Sequence, residues 1–273
     1  MPFCRIVRSH DLSTFLERTG PFLYAHEPKY HAIVSVTEGL ARGLAHKSPP
    51  VLVHAEGTDQ IIGVVVAVDS RVLITEWPEE NVAHLEQILL QLHQRGRNLI
   101  GPTSTVDRLI GYQFHSITEQ RALSTDRIHN PEVVPGGVRL ANTQDISLVS
   151  QWLRDYSKQS RTEIKAEANQ TRQFLMNQVS RQLVYLWCVE GRPVSMAQLG
   201  RATKNGISIT AVFTPECHRG RGYASNLVAE VSQRMLKRYR FCVLRTEATN
   251  KTSNKIYQAI GYEPVAEFKS CYF

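Results

Sequence analysis

The sequence lacks the features that mark membrane, secreted and metal-binding proteins. Its longest apolar stretch is residues 61–68, whereas a helix needs about 20 apolar residues to cross a bilayer. Its five cysteines are widely spaced, with no C-x-x-C pair, and its histidines form no H-E-x-x-H motif. A disulfide scaffold and a metal site are therefore not expected. Residues 1–11 have no apolar core, unlike a signal peptide. These absences predict a cytoplasmic protein with reduced thiols, no metal and no membrane partner.

Charge of one sign is not concentrated anywhere along the chain. Lysine and arginine number 32 against 25 acidic residues, a formal net charge of +7, yet no run of five basic residues occurs. This scattered excess favours anionic ligands and does not indicate a nucleic-acid partner. With 273 residues, of which 42% are hydrophobic and 21% charged, the chain is typical of a globular protein with one large or two smaller domains.

Residues 128–138, with the sequence IHNPEVVPGGV, separate two halves that resemble each other. Two prolines and paired glycines are typical of a linker. In each half a strand ending in Glu-Gly is followed by further strands, a helix and later a Gly-Tyr pair. The matching pieces are 51–57, 61–68, 79–94 and Gly111-Tyr112 in the first half, and 184–191, 193–199, 222–238 and Gly261-Tyr262 in the second. This pattern predicts a duplicated α+β unit.

The second half has the clearer secondary-structure pattern. Ser253 is the predicted N-cap of a short helix that ends at Ala259, with Gly261 as its stop. The remaining predicted elements are helices at 145–156 and 162–179 and strands at 183–189, 194–200, 207–214, 241–246 and 262–272.

Residues 212–224, with the sequence VFTPECHRGRGYA, join a strand to a helix through a loop. Gly220 and Gly222 lack a Cβ, so several backbone N–H groups can converge on one small anion. The following helix adds the positive end of its dipole, and Ala224 keeps its first turn slim. The loop has neither the Gly-Lys-Ser/Thr of a Walker loop nor the third glycine of a dinucleotide-binding turn. It suits a pyrophosphate; the alternative, an ordinary glycine-rich connection, is disfavoured by the flanking elements and by Arg219.

Residues 249–262, with the sequence TNKTSNKIYQAIGY, form a second informative segment. Asn250 follows a strand, and Asn254 and Tyr257 are three residues apart on one helix face. A tyrosine there can give a proton to a departing thiolate, although ordinary pKa values of about 10 and about 8.5 require help from the site. The alternative is that Tyr257 is a core aromatic residue.

Together the two segments resemble the Gcn5-related N-acetyltransferase (GNAT) family over residues 137–273. The family's acetyl-CoA motif, Arg/Gln-x-x-Gly-x-Gly/Ala, is matched by Arg219, Gly222 and Ala224. The family also has an asparagine at its fifth strand, then a helix with an asparagine and a tyrosine, then Gly-Phe or Gly-Tyr. These are matched in order by Asn250, Asn254, Tyr257 and Gly261-Tyr262.

The resemblance implies that acetyl-CoA donates an acyl group to an amine, which attacks the thioester directly. The backbone of residues 212–214 would pair with the pantetheine arm and polarise the thioester carbonyl. The amides of residues 219–224 would hold the pyrophosphate, and Tyr257 would protonate the leaving thiolate. The implied cofactor-binding residues are Val212, Phe213, Thr214, Arg219, Gly220, Arg221, Gly222, Tyr223, Ala224, Asn250, Asn254 and Tyr257.

The first half resembles the family only in outline. After Trp77-Pro78, where a phosphate loop is expected, Glu79 and Glu80 stand without a glycine and would repel a pyrophosphate. The chain resembles tandem members of the family with a degenerate N-terminal copy. The implied fold class is α+β, with two GNAT-like domains, each a mixed, mainly antiparallel sheet flanked by helices. The predicted domains are residues 1–130, a linker at 131–138 and a catalytic domain at 139–273.

The general base that many family members carry on the fourth strand is missing. Residues 206–212 contain no carboxylate, and deprotonating a lysine-like amine at pH 7 costs about 4.6 kcal/mol, against about 1 kcal/mol for an α-amine. Glu247 is the predicted catalytic carboxylate, with Glu190 as a further candidate, although the ordinary role of each is a surface or strand-end residue. Water or a weakly basic amine are the other solutions. His218 is expected to face solvent.

The acceptor site is expected where the fourth and fifth strands separate, roofed by residues 157–167. Trp152, Tyr156 and Trp187 are aromatic candidates for its lining, but we expect all three to be core or interface residues. Two alternative functions stay open: a tRNA-dependent aminoacyl or peptidyl transferase, which would not need the phosphate loop, and a non-catalytic acyl-CoA sensor, which would not need Tyr257. The sequence leaves the acceptor, the acyl chain length and a homodimer open.

Overall fold

The computed structural model describes residues 4–44, 46–93, 98–109, 114–159 and 172–272. The chain divides into two compact units: unit 1 comprises Met1–Ala122 and Val265–Phe273, and unit 2 comprises Leu123–Pro264. Each is a mixed, mainly antiparallel sheet flanked by helices, which confirms the predicted fold class. No helix in the described part of the chain is long and apolar enough to cross a membrane. The described residues also bring no three potential metal ligands together.

The elements are numbered along the chain. The first half contains β1 (Arg5–Ser9), α1 (Leu12–Ala25), α2 (Glu27–Ala41), β2 (Val51–Glu56), β3 (Ile61–Val68), β4 (Arg71–Ile74), α3 (Val82–His93), β5 (Asn98–Pro102), α4 (Thr103–Val106) and β6 (Ser116–Thr125). The second contains β7 (Gly137–Leu140), α5 (Ile146–Gln159), α6 (Arg172–Ser180), β8 (Val184–Val189), β9 (Arg192–Ala202), β10 (Gly206–Phe213), α7 (Tyr223–Leu236), β11 (Phe241–Glu247), α8 (Lys251–Ala259) and β12 (Glu263–Tyr272). Single 3₁₀ turns precede α3, α5 and α7: Glu79–Asn81, Thr143–Asp145 and Glu216–His218.

In unit 1 the strand order is β1-β2-β3-β4-β5-β12-β6, and β4 and β5 form a parallel pair. Alternate strand residues enter two separate cores. Leu52 and Val64 pack under α1 and α2, whereas Val53 and Val65 pack under α3. Because helices cover both faces, β2 and β3 are apolar almost throughout.

In unit 2 the strand order is β6-β11-β10-β9-β8-β7, and β10 and β11 form a parallel pair. α7 and α8 pack on one face and α5 and α6 on the other. Leu227, Val231 and Met235 form a buried stripe on α7. Gly261 ends α8 at φ +102°, and a Cβ there would lie 2.9 Å from the Arg127 carbonyl oxygen, so only glycine fits this stop.

The order β1 to β5 is repeated by β7 to β11, with the parallel pair in the same place, which confirms the duplicated unit. The next strand differs from the chain order. β5 is bonded to β12, with Phe268 opposite Pro102. β11 is bordered by β6, where Ser124 Oγ donates to the Cys242 carbonyl at 3.1 Å. The final strand therefore belongs to unit 1, although it closes the predicted domain 139–273. The predicted domain boundaries follow the order of the two copies along the chain, and they stay a prediction.

Several predicted boundaries shift. The helix predicted at 79–94 begins with a 3₁₀ turn, so α3 itself starts at Val82. The prediction that Ser253 caps α8 is wrong: Asn250 is the N-cap, and its Oδ1 accepts from the Ser253 amide at 3.0 Å. Residues 162–171 of the helix predicted at 162–179 lie outside the described residues, as do Gly111 and Tyr112.

No element is predicted from the sequence for residues 12–41, where α1 and α2 lie. The side chains of residues 33–37 in α2 are all buried, so the helix lacks the polar face that makes an amphipathic pattern visible. The same stretch contains four β-branched residues in five, which favours strand over helix.

Residues 128–136, which we call the strap, have no regular secondary structure but are anchored in unit 2. Asn226 Nδ2 of α7 donates to the Glu132 carbonyl at 3.0 Å, and Trp187 Nε1 of β8 donates to the Pro135 carbonyl at 3.0 Å. Val134 packs against the core under α7. The segment predicted as a linker is thus a fixed part of this unit, and β7 begins within it at Gly137.

Candidate acyl-CoA site

A bulge in β10 begins the site. β10 pairs with β11 only from Gly206 to Ile209. Against β9, Thr210 faces Gln198 and Phe213 faces Met196, so β10 has one residue too many for the ladder. Ala211 lies at this shift with φ +48°, a conformation that costs a non-glycine residue about 1 kcal/mol. Beyond Ile209 the backbone edge of β10 that faces β11 has no strand partner in the described register. Val212, Phe213 and Thr214 follow this point of the chain.

The loop between β10 and α7 presents a row of backbone amides. Gly220 has φ +72° and Gly222, the N-cap of α7, has φ +75°. The first hydrogen bond of the helix runs from the Asn226 amide to the Gly222 carbonyl, which leaves the amides of Tyr223 and Ala224 outside the helical ladder. In the described part of the chain, no backbone carbonyl accepts a hydrogen bond from the amides of Gly222, Tyr223, Ala224 or Ser225. Residues 219–222 are exposed, so an anion can reach these amides and the positive end of the helix dipole.

Arg219 braces this loop. Its Nε donates to the Thr214 carbonyl at 2.9 Å and its Nη2 to Gln159 Oε1 at 2.6 Å. The side chain therefore ties the loop to the ends of β10 and α5. Arg221 is exposed and makes no ion pair with a described residue, so its charge is free to add to the positive potential of the loop.

Asn254 on α8 holds the end of β11 and has a spare acceptor. Its Nδ2 donates to the carbonyls of Glu247, Ala248 and Asn250 at 2.9–3.2 Å. Three carbonyl acceptors fix the orientation of the amide. Its Oδ1 is buried and has no hydrogen-bond partner among the described residues, which costs about 1–3 kcal/mol. A ligand N–H would satisfy it. Asn250 uses its own side chain to cap α8.

Tyr257 is both a core residue and a candidate acid. It is 7% exposed, and its ring centroid lies 6.2 Å from that of Tyr262. Burial raises the pKa of Tyr257 well above its ordinary value; the phenol of Tyr156 adds to the shift, and a hydrogen bond with Ser253 opposes it. The hydroxyl therefore stays protonated through the neutral range.

Tyr156 interacts electrostatically both with Tyr257 and with Glu247. Burial, and then the negative charge of Glu247, raise the pKa of Tyr156. Glu247 ends β11 and is partly buried. Tyr156, which we expected to be a core or interface residue, thus interacts with each of the two predicted catalytic residues.

The other aromatic and titratable candidates have structural positions. Trp152 is buried with its ring 6.2 Å from that of Phe213, and Trp187 is buried beneath the strap. Both are core residues, as expected. Glu190 is exposed in the turn between β8 and β9 at φ +50°, and His218, partly buried, ends the 3₁₀ turn before the loop. The predicted roof, residues 157–167, is described only to Gln159.

Comparison with known proteins finds a matching family model and several structures with a similar fold. A family model described as FR47-like protein matches residues 187–273, which contain β10, the loop and α8. A GNAT-family acetyltransferase from Colwellia psychrerythraea is 10% identical over 98% of this chain and 99% of its own, with a TM-score of 0.60. A GCN5-related N-acetyltransferase from Sphaerobacter thermophilus is 13% identical over 99% and 95%, with a TM-score of 0.66. A tandem GNAT protein from the clavulanic acid biosynthesis pathway is 12% identical over 99% and 98%, with a TM-score of 0.54.

The chain has a tandem GNAT fold. The resemblance predicted from the two motifs is confirmed at the level of the fold, over nearly the whole length of these structures. A search of curated proteins finds no match.

The first GNAT-like copy has no equivalent cradle in its described residues. Pro78 precedes a 3₁₀ turn that begins with Glu79 and Glu80. Trp77, 1% exposed, packs its ring flat against Gly63 of β3, where any Cβ would collide with it. Arg108 Nη2 donates to the Trp77 carbonyl at 3.0 Å. In unit 1 the connection between β4 and α3, which corresponds to the loop between β10 and α7, is therefore occupied by the side chains of Trp77 and Arg108.

Sequence reasoning missed three supports of the GNAT-like site in unit 2. Ala211 gives no sequence signal of a bulge, because alanine is ordinary in strands. Gln159 meets Arg219 from 60 residues away. Ser195 Oγ lies 2.9 Å from Thr214 Oγ1 and donates to the Phe213 carbonyl, fixing the end of β10. Each contact depends on the folded sheet and not on local spacing.

Proposed function

We propose that unit 2 is an acetyl-CoA-dependent N-acetyltransferase that acts on a primary amine of a small molecule or peptide. The observation that carries the proposal is the exposed row of amides at Gly220–Gly222, in the loop between a bulged, partly unpaired strand and the N-terminus of α7. The pantetheine arm of acetyl-CoA carries amides that can pair with the unpaired edge of the strand. Its pyrophosphate carries oxygens that can accept hydrogen bonds from the amides of the loop.

The residues that would hold the donor fit its chemistry. The amides of residues 220–225 would bind the pyrophosphate, and the free edge of residues 212–214 would pair with pantetheine amides. The buried Oδ1 of Asn254 would accept from an N–H of that arm. When bound, acetyl-CoA supplies an acyl group activated as a thioester.

Tyr257 would assist departure of the thiol as a hydrogen-bond donor. An ordinary tyrosine is already a weaker acid than a free thiol by about 2 kcal/mol, and burial widens the gap. Complete proton transfer to a free thiolate is therefore uphill, whereas a hydrogen bond to sulfur as charge develops is favourable. Tyr257 would therefore keep its proton at Oη and donate a hydrogen bond to the sulfur.

Glu247 is the proposed base for the amine, since β10 carries no carboxylate. An α-amine or another weakly basic amine needs little help, because about half of it is already neutral near pH 8. A lysine side chain would rely on Glu247 or on ordered water. We therefore propose a weakly basic amine as the preferred acceptor class.

Calorimetric titration of the full chain with acetyl-CoA tests the proposal. One site per chain is expected, because only unit 2 has the cradle among its described residues. Turnover is then measured as the release of free thiol when α-amines or ε-amines are added at pH 7–8. Binding without thiol release from any amine would favour the acyl-CoA sensor, and no binding of acetyl-CoA or free CoA would refute the proposal.

A further inference from the structure

Unit 1 contains a groove at the place that the strap and the aromatic side chains beneath it fill in unit 2. In unit 2 the strap lies along α7, where Asn226 holds the Glu132 carbonyl and Gln233 Nε2 donates to Asn130 Oδ1. Beneath it, Trp187 of β8 donates to the Pro135 carbonyl. An extended polypeptide segment thus fills the space between α7 and the β7–β8 edge.

The same positions in unit 1 carry smaller side chains. Aligning the two Glu-Gly turns, 56–57 and 190–191, places Val51 and Val53 of β2 at the positions of Tyr185 and Trp187. Two valines occupy far less space than a tyrosine and a tryptophan, so the floor is lowered. A cavity of about 230 Å³ results, lined by residues of β1, β2 and α3. We call it the α3 groove.

The α3 groove also keeps the polar positions that hold the strap. The buried residues Leu85 and Leu89 of α3 align with Leu227 and Val231 of α7. This register places His84 and Gln91 at the positions of Asn226 and Gln233. Both line the groove, so its helical wall offers hydrogen-bonding side chains where α7 uses them on a peptide.

The charge of the α3 groove selects an acidic occupant. Ile6, Val53 and Ile88 make its apolar surface, and Arg8 lies at its edge. Arg8 is exposed and pairs with no acidic group in the described part of the chain. None of the lining residues is acidic. A segment with aliphatic side chains and a nearby carboxylate would therefore be complementary, and the strap itself has this composition in Glu132, Val133 and Val134.

We propose that the α3 groove binds an extended segment of a partner polypeptide, with an acidic residue next to small aliphatic residues, in the manner in which the strap lies along α7. The partner's backbone carbonyls would accept from His84 and Gln91, its carboxylate would pair with Arg8, and its aliphatic side chains would fill the space above Val51 and Val53.

A labelled peptide with the strap sequence IHNPEVVPG, acetylated and amidated, tests this proposal by fluorescence anisotropy on the full chain. Val53→Trp fills the space above Val51 and Val53 that the aliphatic side chains of the peptide would occupy, and it should weaken binding by at least about tenfold. Arg8→Gln removes an exposed charge and should weaken it about three- to fivefold, as should Glu-to-Gln replacement within the peptide. The scrambled peptide is the matched control.

The melting temperature and acetyl-CoA titration of each variant report folding and the separate site in unit 2. If Val53→Trp does not fold, Arg8→Glu, on the surface, takes its place and should weaken binding further than Arg8→Gln. Absence of peptide binding to the wild type at millimolar concentration would overturn the proposal. Equal binding by the wild type, Arg8→Glu and Val53→Trp would also overturn it, because the peptide would then lie elsewhere.

Discussion

Alanine substitutions at Gly222 and Gly220 separate the anion cradle from the ordinary stability of the loop. Both glycines have left-handed backbone conformations, with φ +75° and +72°. A Cβ at Gly222 would lie 2.9 Å from Val134 Cγ1, whereas a Cβ at Gly220 would meet no atom within 4 Å. The first substitution therefore adds strain and a collision, and the second adds strain alone.

The magnitudes follow from these two terms. The left-handed conformation costs alanine about 1 kcal/mol, so Gly220→Ala should destabilise unit 2 by that amount. Gly222→Ala should cost about 2 kcal/mol, because the strap must give way at Val134. In a chain of this size each kcal/mol lowers the melting temperature by about 2–4 °C. If the loop instead turns to negative φ, its amides no longer converge and acetyl-CoA affinity should fall about 10- to 100-fold, or 1.4–2.8 kcal/mol.

Acetyl-CoA calorimetry on Gly220→Ala, Gly222→Ala and Gly222→Val provides the assay. Valine is strongly disfavoured at positive φ, so Gly222→Val should abolish binding while unit 2 remains folded. Val134→Ala in the Gly222→Ala background should recover part of the lost stability. Wild-type affinity in a folded Gly222→Val protein would refute the assignment of this loop to the pyrophosphate.

Three further results are expected. Tyr257→Phe should lower turnover about tenfold or more with acetyl-CoA affinity nearly unchanged, and unchanged turnover would leave Tyr257 as packing only. The bidentate hydrogen bonds from Arg139 lower the pKa of Asp145, although burial opposes this. The resulting stability is present above about pH 4, the ordinary pKa of an aspartate, and is lost as the pH falls through the lowered pKa. Asp145→Asn should therefore flatten the acid limb of a profile of melting temperature against pH. Burial raises the pKa of Cys242 to about 12, so at pH 8 a thiol reagent should modify exposed Cys217 and leave Cys242 unmodified, as mass spectrometry would show.

The parts of the fold that sequence patterns predict well are local. β3 begins and ends at the predicted residues 61 and 68, and α7 lies within the predicted 222–238. Strand alternation, a helical stripe and the stop at Gly261 each depend on neighbouring residues. The loop at 219–224 is local in the same sense, because its glycines and the following helix specify the amides together.

The parts that the sequence does not predict depend on distant contacts. β12 reads clearly as a strand, but only the folded sheet shows that it pairs with β5. The bulge at Ala211 depends on the register against β9. The electrostatic link from Glu247 through Tyr156 to Tyr257 joins α5, β11 and α8, and no spacing in the sequence relates these three residues.

The two copies in this chain argue that the glycines of the loop serve a ligand. Unit 1 builds the same strand order, the same parallel pair and a helix at the same place without them, starting from Pro78 and Glu79. The fold therefore does not require a glycine at this connection, and each glycine costs conformational entropy on folding. In unit 2 Gly220 and Gly222 have left-handed conformations at the N-terminus of α7. The amides that they expose there donate to no backbone carbonyl of the described residues. These conformations cost stability, the fold does not require them, and they leave polar groups unpaired. An anion bound at the amides of this loop accounts for all three facts.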